Sequence, residues 1–123
     1  MRNAAKAFRE TARGIMKYLI VSLCAAASLS AAQSARTFTG AITDSMCADA
    51  AGHAGMRMGP TDADCTTACV MAHGATYVLF DGTDVYALSD QQTPEQFAGK
   101  KVKVTGTLDA ATRTIRVDSI AAD

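Results

Sequence analysis

No Cys-x-x-Cys pair occurs in these 123 residues, although the chain has four cysteines. That absence excludes the standard zinc-finger spacing. Tryptophan is missing as well, which removes the best cation–π face. No apolar run is long enough to cross a bilayer: the main one, over residues 18–32, has fifteen residues where a span needs about 18–20. Nor is there a basic surplus. Lys+Arg and Asp+Glu stand at twelve each, and five of the basic residues (Arg2, Lys6, Arg9, Arg13, Lys17) fall before residue 18 against a single acid, Glu10. Residues 33–123 therefore carry seven basic and eleven acidic side chains, a net charge of about −4. An acidic domain of this kind repels phosphate backbones, so nucleic acid is excluded as a partner.

What is present at the N-terminus is a basic segment, a short apolar run and then small residues, the order of a secretory signal. Ser30-Ala31-Ala32 places small side chains at −3 and −1. The expectation is a signal peptide over residues 1–32, no stable membrane anchor after its cleavage, and a periplasmic or secreted domain over residues 36–123. Met16 is an alternative start. A lipid anchor through Cys24 is set aside, because Leu23 stands where a lipobox has a small residue. Export would bring Cys47, Cys65 and Cys69 into an oxidising compartment, where exposed thiols rarely stay free.

Beyond the leader the chain alternates as strands do. Phe38, Gly40 and Ile42 share one face of a segment over residues 36–43, with threonines opposite. Gly40 within it suggests a bend. Thr61 is placed to cap a helix over residues 62–73, with Asp62 and Asp64 in its first turn and Gly74 just beyond its end. Two strands, over 76–80 and 84–88, flank a hairpin turn through Asp81-Gly82-Thr83. Thr93-Pro94 starts a short helix anchored by Phe97 and ended by Gly99. Strands over 101–108 and 113–120 follow, with Val102, Val104 and Leu108 facing inward. Ile120 falls out of phase with Ile115 and Val117, which implies a bulge or a strand end. Five short strands, with a Cys-bearing loop-helix between the first two and a short helix between the third and fourth, predict a mainly β, OB-like barrel. An open antiparallel sheet with one helix packed on it is the alternative. With a core this small, a cross-link or a bound ion would add noticeably to stability.

The chemistry concentrates between residues 44 and 73, which hold three cysteines, both histidines and four methionines. Cys65 and Cys69 lie one helical turn apart on one face, and His73 continues the stripe. Cys65 and His73 are about 12 Å apart along the axis, too far to share one ion. One site would therefore draw on Cys65 and Cys69, or Cys69 and His73, with Cys47 from the exit of the first strand and His53 from the loop. Three thiolates and an imidazole suit Zn(II) or Cu(I), and Met56 and Met58 would add soft thioethers. The competing reading is a disulfide from Cys47 to Cys65 or Cys69, tying loop to helix and leaving an odd thiol. A third is that Cys65, Ala68, Cys69 and Ala72 form a small-residue stripe for close packing. Thiol redox chemistry is a further alternative, which would need an accessible, low-pKa cysteine. Asp44-Ser45 reads as turn chemistry, and no fixed base partner makes either a nucleophile.

Gly40-x-Ile42-x-Asp44-Ser45-x-Cys47, Cys65-x3-Cys69, Gly74-Ala75-x-Tyr77-Val78-Leu79 and Gly99-Lys100-Lys101-Val102-x-Val104-x-Gly106-Thr107-Leu108 together resemble a family of small exported bacterial proteins of unknown function. That resemblance implies a signal peptide followed by an OB-like domain, and brings no activity with it. The His/Met loop more distantly resembles that of periplasmic copper-binding barrels, from which this chain departs in having no tryptophan. The expectation is a binding domain, not an enzyme, whose partner is a metal ion (copper or zinc) or another protein.

Overall fold

The computed structural model describes residues 33–48, 53 and 57–123. The expected leader, with Cys24, lies outside the described residues, and so does Met56. In chain order the elements are β1 (Arg36–Asp44), α1 (Asp62–His73), β2 (Tyr77–Phe80), β3 (Val85–Leu88), a short 3-10 helix (Thr93–Phe97), β4 (Lys101–Asp109) and β5 (Thr114–Ala122). The fold is mainly β, and its five strands close in a ring in the order β1-β2-β3-β5-β4. Closure excludes the open sheet. None of the described helices is long and apolar enough to cross a membrane.

β1 makes the closure by pairing with two strands along its length. From Arg36 to Ala41 it runs antiparallel to β4, and from Ala41 to Asp44 antiparallel to β2. The exchange happens beside Gly40, where the bend was expected and where the Phe80 carbonyl occupies the space a Cβ would need. β3 meets β5 in parallel through Ala87↔Thr114 and Leu88↔Ile115, which joins the remaining edges. Between β4 and β5 the register shifts: Thr105 faces Ser119 and Gly106 faces Val117, so Asp118 is the extra residue of a bulge. That bulge puts Ile120 back on the inner side, which explains the phase slip in the sequence. Gly106 is required there, because a side chain would strike the Arg116 carbonyl.

Phe38, Ile42, Tyr77, Leu79, Leu88, Ala98, Val102, Val104 and Ile115 fill the ring. Leu108 is half-buried and packs at the margin of this core. The hairpin between β2 and β3 is held by Asp81, whose Oδ1 accepts from the backbone N–H groups of Thr83 and Asp84 at 2.9 and 2.7 Å. The segment after β3 differs in detail from expectation. It is a 3-10 turn whose N-cap is Gln92, with no capping side chain, and Asp90 holds the turn before it, with Oδ1 accepting from the N–H groups of Gln92 and Thr93 at 2.8 and 3.1 Å. Its wedge into the core is Pro94 and Ala98, with Phe97 only half-buried. The residues after it lie along β1: Ile42 N–H donates to the Lys100 carbonyl at 3.0 Å, and Gly99 N–H to the Ile42 carbonyl at 2.9 Å.

α1 is bounded as its sequence requires. The Thr61 hydroxyl accepts from the Asp64 N–H at 3.1 Å, and Gly74 ends the helix in the left-handed region at φ 70°. Its inward face differs from the small-residue stripe. Cys65, Thr66 and Cys69 are buried, Ala63 and Val70 touch the main core, and Ala72 is exposed. The helix is rotated toward Ala63, Thr66 and Val70, of which Ala63 and Val70 pack on the apolar ring and Thr66 is buried, while Cys65 and Cys69 turn to the exit of β1.

The register of β4 has a direct test. Val104 is fully buried, whereas Lys103 is exposed and pairs with Asp123 at 2.9 Å. Val104→Asp places an unpaired charge in the core and should destabilise by at least about 3 kcal/mol. Lys103→Asp loses one surface pair and should cost less than about 1 kcal/mol. Urea midpoints that move equally and little for both variants would refute this register.

Candidate functional site

The end of β1 and the start of β2 form a clamp. Ser45 N–H donates to the Thr76 carbonyl at 2.9 Å, and Thr76 N–H returns a bond to Ser45 Oγ at 3.1 Å. β1 leaves the sheet here into a tight turn, closed by Ala48 N–H on the Asp44 carbonyl at 3.0 Å. Asp44 also caps that turn with its side chain. Its Oδ1 accepts from Met46 N–H at 3.0 Å and Cys47 N–H at 2.9 Å. This arrangement aims Cys47 at α1.

Cys47 meets both helical thiols. Its Sγ is 3.7 Å from Cys65 Sγ and 3.9 Å from Cys69 Sγ, and all three cysteines are free. None is more than 1% exposed. With Ala75 they form a small core of their own beside the main one, with Val70 packed against it. His53 joins from the loop. A ring nitrogen of His53 lies within 4.8 Å of Cys47 and Cys65 Sγ, and a carboxylate oxygen of Asp44 lies within 4.8 Å of Cys47 and Cys69 Sγ. Cys47 is common to both groups. His53 Nε2 lies 3.2 Å from Thr43 Oγ1, and Nδ1 is buried with no hydrogen-bond partner among the described residues. With the ring proton on Nε2 and donated to Thr43, Nδ1 keeps its lone pair and faces no competing donor.

Of the four residues selected from sequence as ligands, Cys47 lies beside the other three, with His53 and Cys65 in one group and with Cys69 in the other. Three further candidates fare differently. Met58 is 37% exposed. His73 is exposed in the last turn of α1. Met56 lies outside the described residues. The disulfide alternative is not formed, since separations near 3.8 Å are far beyond the roughly 2.05 Å of an S–S bond.

Sequence reasoning missed Asp44, which it took for ordinary turn chemistry. The signal was available in the strand period. Phe38, Gly40 and Ile42 occupy one face, and Asp44 is the next residue on it. It is fully buried.

The electrostatics hold Cys47 and Cys69 neutral when no metal is bound. Burial first, and then the proximity of the Asp44 carboxylate and of Cys65, push the Cys47 thiol far above its ordinary range. Burial and the negative charge of Asp44 also raise Cys69. This disfavours thiol redox catalysis, which needs an accessible, low-pKa cysteine. A cation reverses the balance, because it favours thiolates and displaces their protons.

The comparisons add little to the site. Residues 70–123 match the model of a family described as a protein of unknown function (DUF5818). The match begins one residue after Cys69, so Cys47, His53, Cys65, Cys69 and Asp44 lie outside it and His73 lies inside. No curated protein and no solved structure matches the chain.

A pH dependence follows from the two raised thiols. Folded Cys47 and Cys69 hold their protons above the pH at which an unfolded thiol, near about 8.5, releases its own. Their contribution to stability is complete below that pH and declines as pH rises above it. The reduced, metal-free protein should lose more stability between pH 7.5 and 9.5 than a Cys47→Ala/Cys69→Ala variant does, read from urea midpoints. Equal losses would contradict buried, neutral thiols.

Proposed function

We propose that this chain is an exported, OB-like binding domain that holds one thiophilic metal ion, Zn(II) or Cu(I), through Cys47, Cys65, Cys69 and His53. The observation that carries this reading is the spacing of the sulfurs. Two thiolates on a tetrahedral ion with bonds near 2.3 Å stand about 3.8 Å apart. The Cys47–Cys65 and Cys47–Cys69 separations, 3.7 and 3.9 Å, fall on either side of that value. The free Nδ1 of His53 and the Thr43 contact on its other nitrogen match the usual anchoring of a ligating imidazole. The OB-like assignment is supported by the strand order, in which β5 returns between β3 and β4 and β1 closes on β4. The ion would then sit in the connection between β1 and β2, a loop with which OB folds commonly meet ligands. Export rests on the leader, and a binding role on the set itself. The set supplies ligands and no general base beside an accessible nucleophile.

Metal binding here is a contribution to folding as well, since the ion joins the loop after β1 to α1 in a small domain. The decisive experiment is reconstitution of the reduced, folded protein with buffered Zn(II) or Cu(I). One ion should bind per chain, affinity should weaken as pH falls, and Cys47→Ser and Cys69→Ser should each lower it at least about tenfold. Alkylation mapped by mass spectrometry should label Cys47, Cys65 and Cys69 without reductant once the ion is removed anaerobically. Absence of binding by the reduced protein would end the metal reading. Labelling that needs reductant to expose two of the three would favour a disulfide-stapled interaction module.

A further inference from the structure

The thiolate–imidazole set leaves one buried group of the cluster without a role. Asp44 is fully buried, and its Oδ1 is committed to two backbone N–H groups, of Met46 and Cys47. Its Oδ2 is buried and has no hydrogen-bond partner among the described residues. The two ion pairs found among those residues, Lys103–Asp123 and Arg113–Asp84, involve other carboxylates. A buried carboxylate oxygen without donor or counter-ion is costly to keep. The cost here falls on a side chain whose oxygen lies within 4.8 Å of the Cys47 and Cys69 sulfurs.

Resting on the proposed metal site, we infer that Asp44 is itself a ligand through Oδ2 and that it makes the site selective for Zn(II) over Cu(I). Oδ1 fixes the carboxylate plane through the turn, so Oδ2 is held in place before any ion arrives. With Asp44 the ion would have five donors, which Cys47 links in two sets, Cys69 and Asp44 in one and Cys65 and His53 in the other. Zn(II) accepts sulfur, nitrogen and oxygen together, with no geometric demand from its filled d shell. Cu(I) prefers thiolate and thioether, and gains little from a hard carboxylate. Among the described residues, the candidate thioether of Met58 stands at the surface. The negative charges of three thiolates and a carboxylate are also better balanced by a divalent ion than by a monovalent one.

Asp44→Asn keeps an acceptor for the Met46 and Cys47 N–H groups and replaces the free oxygen with an amide. Zn(II) affinity, measured against a chelator, should fall at least about tenfold, while Cu(I) affinity changes less than about threefold. Equal losses for both metals would overturn the selectivity and reduce Asp44 to a turn cap; no loss for either would overturn its ligand role. A wild-type protein that binds neither ion fails at the metal site itself, a separate result that removes both readings. X-ray absorption of the Zn(II)-loaded wild-type protein keeps the inference open to refutation if the variant does not fold. It should find an oxygen ligand beside sulfur and imidazole, and a shell of sulfur and imidazole alone would overturn the proposal.

Discussion

β1 has to satisfy two strands at once. Its first six residues pair with β4 and its last four with β2, sharing Ala41 between them. A five-stranded ring closes only if one strand bends from one neighbour to another, and the lack of a side chain at Gly40 lets the Phe80 carbonyl approach at that point. The same bend carries the end of β1 under α1. Asp44 and Thr43 become buried although both are polar, and each then needs a partner. One oxygen of Asp44 finds it in the turn it caps, and Thr43 finds it in His53.

That turn and the helix define the sulfur cluster jointly. Asp44 sets where Cys47 points, and the i, i+4 spacing on α1 sets where Cys65 and Cys69 stand. The helix in turn is oriented by the ring, through Ala63 and Val70 on the main core and through Gly99, whose missing Cβ leaves room for the Ala63 backbone. The arrangement is therefore downstream of ordinary packing. Its polar atoms are less ordinary. Asp44 Oδ2, His53 Nδ1 and Thr66 Oγ1 are buried without partners among the described residues, and the first two belong to residues of the two ligand groups. Native interiors leave few such atoms, and their concentration beside three buried thiols is what separates this cluster from a merely apolar one.

Much of this architecture was legible in the residues. Alternation placed all five strands, Thr61 and Gly74 bounded α1, and the phase slip at Ile120 anticipated the bulge at Asp118. These are local signals, carried by backbone sterics and hydrogen bonding within a few residues. Spacing likewise selected Cys47, His53, Cys65 and Cys69, because like chemistry concentrated in thirty residues is visible without coordinates.

The tertiary structure decided what depends on direction in space. Which face of α1 turns inward followed from the ring beneath it, so Thr66 and Val70 displaced Ala72 from the expected stripe. His73 shares the helical period of Cys65 and Cys69 but is left in solvent at the last turn, while Met58 remains at the surface. Asp44 reads as a turn residue in one dimension. Burial at the exit of β1, with one oxygen satisfied and the other bare, distinguishes it from the other described aspartates. Local sequence determines the elements and the inventory of ligating groups, whereas long-range strand pairing determines which of those groups lose water together, and desolvation is what gives them their chemistry.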